Sequence, residues 1–183
     1  VRRPARLPLV HERLRLAPGN VLDAASVREA VRGQDAVLSA LGHKRWLVPS
    51  RILSAGTRNV AEAMQTHGVR RLVCETSLGV GDSFGRLGAT YTLFVIPCIL
   101  PFYFWDKHRQ EGVVRRSGLD WVLVRPGALT NGKRRGQARP RADAGQWLSW
   151  ARVSRAGAAA FLVAVATGGH HAQETVAGVR GAD

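Results

Sequence analysis

Short apolar runs alternate with amphipathic helical segments along most of this chain, and this alternation constrains the fold more than any other feature. The runs 36–41, 71–76 and 121–124 are too short for helices and predict strands, the first being apolar on both faces. The segments 49–68 and 102–117 carry apolar residues at helical spacing, and a glycine stops each of them. Strands separated by helices of this length imply right-handed crossovers. The sequence therefore predicts an α/β fold with a doubly wound, mostly parallel sheet and helices on both faces.

Two weaker signals precede these elements. Residues 13–16 alternate apolar and basic side chains with period two, which predicts a strand. Residues 26–29 form a Ser-x-x-Glu capping box, which predicts the start of a helix that ends near Gly33.

The carboxyl-terminal third is less regular. Residues 125–127, Arg-Pro-Gly, are expected to end the strand before them, and residues 133–145 are basic and rich in Gly, Pro and Ala, which predicts a flexible surface loop. Ser154 is the expected cap of a last helix over 158–166, and 174–179 predicts a terminal strand.

The bulk composition is that of one globular domain spanning residues 1–183, with 45% apolar residues. Cys74 and Cys98 are the only cysteines, which excludes a disulfide framework and a four-ligand zinc site and favours the reducing cytoplasm. The histidines show no ligand spacing with carboxylates or thiols, so we expect no metal site. The first residues lack the apolar stretch of a signal peptide.

The formal net charge of +14 comes almost entirely from arginine, since Lys44, Lys107 and Lys133 are the only lysines. A field of this sign attracts polyanions, including nucleic acid and phosphorylated cofactors. No recognition helix, zinc finger or RNA-binding aromatic signature accompanies the charge. Solvation of the surface explains it best, and nucleic-acid binding stays as the weaker alternative.

Three strand ends nominate a ligand site. In open parallel sheets, ligands bind beyond the carboxyl ends of the strands, where the winding reverses. The first residues after the three apolar strands are Leu41-Gly42, Thr76-Ser77 and Pro126-Gly127. We expect these junctions to lie side by side and to form one rim on which a nucleotide rests.

Several segments, in order and spacing, resemble one family. They are 19–23 (GNVLD), 33–37 (GQDAV), 76–77 (TS), 106–111 (DKHRQE) and 117–121 (SGLDW). The pattern is similar to the atypical short-chain dehydrogenase/reductase group of NAD(P)H-binding proteins, which includes biliverdin reductase B (flavin reductase) and the NmrA-like proteins. The resemblance runs from Val1 to about Val165 and implies a Rossmann-like fold.

Two functions follow from this resemblance. The first is a reductase that transfers hydride from NADPH to a small apolar carbonyl, quinone or flavin-like substrate. The second is an NADP-sensing binding protein without turnover, like the NmrA-like regulators.

One departure concerns the phosphate cradle. The family opens with a strand and a G-x-x-G-x-x-G turn that holds the pyrophosphate. We expect the chain as given to lack this segment, as a fragment or the product of a late start codon would. Glycines 79, 81, 85 and 88 have the wrong spacing and follow a later strand, so they predict a loop.

The resemblance also implies cofactor contacts. Arg2 and Arg6 match positions that face the adenosine 2′-phosphate, which favours NADP(H) over NAD(H), although both could merely belong to a basic terminus. Asn20-Val21 stands where the family has Asp-Val beside the adenine, and Asp23 belongs to the start of a helix. The expected cofactor-binding residues are Arg2, Arg6, Asn20, Val21, Leu41, Gly42, Thr76, Ser77, Lys107 and Pro126.

The candidate catalytic residues are Ser77, Tyr103 and Lys107. Tyr103 and Lys107 have the Tyr-x-x-x-Lys spacing of the better-known short-chain dehydrogenases, which puts both on one helix face. We expect the ammonium to lower the pKa of the tyrosine and Ser77 to bind the same substrate oxygen. The alternative is that Lys107 only binds the nicotinamide ribose while Tyr103 packs. Glu111 is expected to form ion pairs on the helix surface with Lys107 and Arg115.

Residues 87–105 contain no charge and approach the length of a membrane span. Pro97 and Pro101 would interrupt a single helix. In the family this region is a flap over the nicotinamide, and an apolar substrate pocket is therefore the favoured interpretation. Contact with a membrane surface is the alternative. We refer to residues 87–105 as the flap.

Overall fold

The computed structural model describes residues 4–7, 10–43, 47–132, 139–140, 152–168 and 173–180. Numbered in chain order, the strands are β1 (Ala36–Ser39), β2 (Arg71–Glu75), β3 (Asp120–Pro126), β4 (Ala128–Thr130), β5 (Arg139–Pro140), β6 (Arg152–Ser154) and β7 (Glu174–Arg180). The helices are α1 (Ala24–Val31), α2 (Ile52–His67), α3 (Pro101–Arg115) and α4 (Arg155–Thr167). Short 3₁₀ turns at Pro4–Arg6 and Gly81–Ser83 and a π-helix at Tyr91–Ile99 complete the described elements.

The main sheet has the order β1-β2-β3-β7-β5. Within this sheet, β1, β2, β3 and β7 run parallel to one another, so that Ala36 lies opposite Arg71 and Arg71 lies opposite Asp120. Only β5 is antiparallel to its neighbour. A small second sheet pairs β4 with β6. This arrangement confirms the predicted α/β fold with a mostly parallel, Rossmann-like sheet.

Helices cover both faces of the sheet. One core joins α1, α2 and α3 to the sheet through fully buried side chains such as Met64, Leu72 and Leu123. The second core packs α4 against the opposite face through Val73 and Leu162. Successive β2 side chains therefore serve opposite cores, which explains why the strand is apolar on both faces.

The start of α1 corrects the predicted capping box. Asp23, not Ser26, is the N-cap, and its carboxylate accepts a hydrogen bond of 3.0 Å from the backbone N–H of Ala25. The Ser26 hydroxyl instead donates to the backbone oxygens of Asn20 and Asp23. Asp at the N-cap satisfies an orphan N–H and complements the helix dipole, so it competes well with the serine three residues later.

A distant side chain caps α2. Its local N-cap, Arg51, supplies no side-chain hydrogen bond. The buried carboxylate of Asp106 on α3 accepts hydrogen bonds from the N–H groups of Leu53 (2.9 Å) and Ser54 (3.2 Å) and from the Ser54 hydroxyl. At its other end α2 stops, as predicted, at Gly68, whose φ of 71° favours glycine. The Asp106 cap thus fixes α3 against the start of α2.

Three predicted elements differ in the structure. Residues 13–16 form no strand: the backbone N–H of Leu14 donates to the oxygen of His11 in a turn, and no strand of the described residues pairs with this segment. The strand β3 continues through Arg125 to Pro126, which a proline at a strand end permits. Within the expected loop 133–145, Arg139–Pro140 pairs with β7 as the edge strand β5, and the rest of that loop lies outside the described residues.

The flap is helical over most of its length. The π-helix contains Pro97 and ends before Leu100, and Pro101 begins α3 at a position where a missing N–H costs nothing. Within the described ranges no helix combines the length and the apolar content needed to cross a bilayer. The flap packs on Leu78 through its inward side chains Leu87 and Ile96.

Candidate active site

The three strand ends that the sequence nominated line one cavity of about 330 Å³. Gly42 follows β1, Ser77 follows β2 and Pro126 ends β3, and the parallel sheet brings all of them to the same edge. The lining residues are Ala40, Leu41, Gly42, Glu75, Thr76, Ser77, Leu87, Tyr91, Leu100, Tyr103, Phe104, Lys107, Pro126, Gly127, Ala128, Leu129 and Arg155. The expected rim therefore exists, with helix α3 and the flap as its second wall.

Lys107 joins two of these strand ends. Its side chain is 2% exposed, and Nζ donates to the backbone oxygens of Leu41 (3.2 Å) and Glu75 (3.1 Å). Burial lowers the pKa of Lys107 from its ordinary value, while nearby acidic groups oppose that shift. An ammonium has three N–H donors. One donor therefore remains for a ligand in the cavity.

Tyr103 lies on the same face of α3, as its spacing predicted, but its acidity differs from the prediction. Burial, with the nearby charges of Glu75 and Asp106, raises the pKa of Tyr103 to about 12. The Lys107 ammonium lies 5.7 Å from the centroid of the tyrosine ring, over its face. The expected lowering of the pKa is wrong, because the phenol is desolvated and two acidic side chains disfavour its charged form.

Ser77 and Thr76 have different partners. The Ser77 hydroxyl donates to the backbone oxygen of Leu78 at 2.9 Å, which leaves its oxygen as an acceptor. The Thr76 hydroxyl donates to the carboxylate of Glu111 at 2.8 Å. Ser77 can thus receive a hydrogen bond from a ligand, while Thr76 holds the strand end against α3.

Glu111 belongs to a buried ion-pair network, which corrects the expected surface pairing. The Arg125 guanidinium donates to both carboxylate oxygens of Glu111, at 2.8 and 2.7 Å, and also to Asp82 at 2.6 Å. Arg125 is 1% exposed and Glu111 4%. Arg115 does approach Glu111, at 3.6 Å, but Lys107 instead bonds backbone oxygens. The network connects β3, α3 and the 3₁₀ turn Gly81–Ser83.

Apolar side chains of the flap form the wall opposite the strand ends. Leu87, Tyr91, Leu100 and Phe104 line the cavity from this side. Gly79 allows their close approach, because a Cβ at this position would lie 2.9 Å from Leu87 and 3.2 Å from Phe104. One side of the cavity is polar and the other apolar, which is typical of a site for a small organic ligand.

Two predicted cofactor residues that the structure describes, Asn20 and Val21, do not line this cavity. Asn20 is exposed, and its side-chain oxygen accepts a hydrogen bond from the N–H of Leu22. Val21 packs on Gly56 of α2, and the side chain of Leu41 lies close to the same glycine. Arg2 lies outside the described residues, as does the side chain of Arg6, whose backbone ends the 3₁₀ turn.

Two charged lining residues escaped the sequence reasoning. Glu75 was treated as part of a strand, and Arg155 as part of the approach to a helix. A carboxylate inside the run Leu-Val-Cys-Glu-Thr was the available signal for Glu75, since the three residues before it are buried. Arg155 follows Ser154, which caps α4 as predicted by accepting from the N–H of Gly157 at 3.0 Å. Arg155 donates to Asn131, which fixes it at the rim of the cavity.

Solved structures share this fold. ChuY, described as an anaerobillin reductase from Escherichia coli O157:H7, aligns with a TM-score of 0.70 and 24% identity, over 88% of this chain and 72% of that chain. A short-chain dehydrogenase/reductase of the wide type from Veillonella parvula, in complex with NADP, aligns with a TM-score of 0.71 and 16% identity, over 91% and 72%. The oxidoreductase ylbE from Lactococcus lactis aligns with a TM-score of 0.70 and 14% identity, over 100% and 78%.

The family model described as NAD(P)H-binding matches residues 1–168, nearly the whole chain. This match confirms the resemblance that the sequence segments carry. The chain belongs to the NAD(P)H-binding family of Rossmann-fold proteins.

Proposed function

We propose that the protein is an NADPH-dependent reductase acting on a small apolar carbonyl, quinone or flavin-like substrate. The observation that carries the proposal is a cavity whose polar side is made by three strand ends and Lys107 and whose apolar side is the flap. A reduced nicotinamide bound in such a cavity supplies a hydride. The substrate would lie between Ser77 and the flap.

The residues at the strand ends suit a nucleotide. Gly42 is exposed, and a Cβ at this position would meet no atom within 4 Å, so the backbone after β1 has open space beside it. The spare Nζ donor of Lys107 fits a ribose hydroxyl. Leu41, Thr76 and Pro126 border the same space. These features support cofactor binding at the rim.

A preference for NADP(H) over NAD(H) is part of the proposal. Its support is the match of Arg2 and Arg6 to the positions that face the 2′-phosphate in relatives, together with the Veillonella parvula structure, which holds NADP. We expect NADPH to bind more tightly than NADH and the variant Arg6→Ala to reduce that difference. Equal affinities for the two cofactors in the wild type would contradict the preference.

For catalysis we propose Ser77, Tyr103 and Lys107 as the residues around the reacting atoms. Because the phenol of Tyr103 keeps its proton at neutral pH, it would act as a hydrogen-bond donor to the substrate oxygen. Lys107 would hold the cofactor ribose, and the Ser77 oxygen would accept a hydrogen bond from the ligand.

A second candidate function is an NADP-sensing binding protein without turnover. Two observations favour it: the raised pKa of Tyr103 and the Ser77 hydroxyl that donates to its neighbour's backbone. This alternative expects NADPH binding that is indifferent to Tyr103→Phe, and a protein partner whose capture depends on NADP.

The test measures binding and turnover separately. NADPH binding is followed by calorimetry, and NADPH oxidation is followed at 340 nm with panels of quinones, flavins and apolar carbonyl compounds. The reductase proposal expects oxidation with at least one substrate class and weaker NADPH binding by Lys107→Met. Demonstrated NADPH binding without oxidation across all three panels would overturn the enzyme and favour the sensor.

A further inference from the structure

Glu75 places a carboxyl group in a cavity whose other described lining residues have only neutral or basic side chains. It is the last residue of β2 and lines the cavity. Side chains alternate along a strand, so Glu75 follows Val73 toward the face covered by α4. Within the described part of the chain its carboxylate accepts no hydrogen bond and has no ion-pair partner within 4.0 Å.

The surroundings of Glu75 favour the protonated carboxyl group. Burial raises the pKa of Glu75, and the charges of Lys107 and Arg155 oppose this shift without cancelling it. Lys107 exerts the larger of these two opposing effects, although its ammonium donates its hydrogen bonds to the backbone oxygens of Leu41 and Glu75 and none to the carboxylate. The titratable or charged side chains that share the cavity are Lys107 and Tyr103 of α3, Arg155 of α4 and Tyr91 of the flap.

Reduction of a carbonyl, quinone or flavin-like compound needs a proton as well as a hydride. We propose that the Glu75 carboxyl group donates that proton to the substrate, an inference that rests on the reductase function proposed above. Tyr103 is the weaker donor, since burial raises its pKa to about 12. Lys107 uses two of its donors on the backbone oxygens at the strand ends, and the third is assigned above to the cofactor ribose.

The step balances with the residues present. The hydride leaves a carbon of NADPH and forms a new bond to the substrate, which gains both electrons. The substrate oxygen or nitrogen takes the Glu75 proton, and the O–H bond of the carboxyl group breaks. The products are NADP⁺, the reduced substrate and a Glu75 carboxylate that faces Lys107 and Arg155. Arg155 lines the cavity and is exposed, so water on this side of the cavity can return the proton to Glu75.

The proposal predicts a pH dependence with a definite sign. The donor must be protonated, so kcat falls as pH rises through the pKa of Glu75. Because this pKa is raised, the fall comes at a higher pH than an ordinary glutamate would give. The Glu75→Gln variant cannot donate in this way and should lose this limb of the pH profile.

Three variants and one spectroscopic readout make the test. Glu75→Gln keeps the size of the side chain but removes the acid, Glu75→Asp keeps an acid, and Glu62→Gln on the exposed side of α2 is the matched control. We expect Glu75→Gln to lower kcat by about 100-fold or more, because general acid catalysis contributes about 10²–10⁴-fold. Glu75→Asp should recover part of that loss, and Glu62→Gln should match the wild type.

Measurements on the unreacted protein accompany the kinetics. Carboxyl ¹³C spectra should contain one glutamate signal that titrates at unusually high pH in the wild type and is missing from Glu75→Gln. The NADPH affinity of Glu75→Gln should stay within a few-fold of the wild type. A wild-type kcat in a folded Glu75→Gln variant would overturn the donor role while the reductase stands. A wild type that binds NADPH but oxidises none would overturn both.

Discussion

The buried pair of Glu111 and Arg125 gives the sharpest stability prediction. The change is Glu111→Gln, which removes one charge and almost no volume. Arg125, 1% exposed, would keep only Asp82 as its charged partner, and the Asp82 side chain is 81% exposed. The guanidinium would thus be left buried and largely uncompensated.

The magnitude follows from the geometry. Removing one partner of a buried ion pair costs about 3–5 kcal/mol. We expect the lower end, about 3 kcal/mol, because a glutamine oxygen can still accept from Arg125 or Thr76. In a domain of this size, each kcal/mol lowers Tm by about 2–4 °C, so Tm should fall by about 6–12 °C.

Urea and thermal unfolding measure this effect against a matched control. Glu29→Gln removes the partner of Arg32 from an ion pair of 2.9 Å whose side chains are more than half exposed, and it should cost less than about 1 kcal/mol. The double variant Glu111→Leu with Arg125→Met should recover most of the loss, because no buried charge remains unpaired. Equal losses for Glu111→Gln and Glu29→Gln would refute this reasoning.

Two other predictions concern packing and thiol reactivity. Gly56→Ala should destabilise by about 1–3 kcal/mol in urea unfolding, because a Cβ would lie 2.8 Å from both methyl groups of Val21, whereas Gly112→Ala, which meets only the flexible end of an arginine, should be neutral or stabilise by up to about 1 kcal/mol; equal effects would contradict the close approach at Gly56. In the native protein, a thiol reagent should label exposed Cys98 but not Cys74, since burial raises the pKa of Cys74 to about 11. Mass spectrometry after brief labelling distinguishes the two sites, and early modification of Cys74 would contradict its burial.

The sequence predicted the elements whose signals are local. The strands at 36–41, 71–76 and 121–124 were predicted correctly because an apolar run this short between two helices favours a buried strand over a helix. Gly68 and Ser154 were also correctly predicted as helix ends. The strand at 13–16 was wrong because period-two alternation needs a partner strand that no local pattern reports. The predicted N-cap of α1 was wrong because two candidates three residues apart, Asp23 and Ser26, both have suitable side chains and only Asp23 has the required backbone position.

The site was predictable to the extent that topology defines it. Parallel strands put their carboxyl ends at one edge, so Gly42, Ser77 and Pro126 came together as expected. The pairing of Glu111 with Arg125 was missed because it joins a helix to a strand through space, whereas helix spacing offered closer partners. The predicted lowering of the Tyr103 pKa was wrong because the sequence shows the nearby Lys107 ammonium but not the burial of the phenol.

Amide chemical shifts during a titration with NADPH test the central claim most directly. A nucleotide resting on the three strand ends should shift the ¹⁵N–¹H signals of Gly42, Ser77 and Gly127 in one saturable process. Signals of Gly33 and Gly112, which do not line the cavity, should stay in place. Shifts that avoid the three strand ends, or no saturable shift at millimolar NADPH, would contradict a cofactor site at this edge of the sheet.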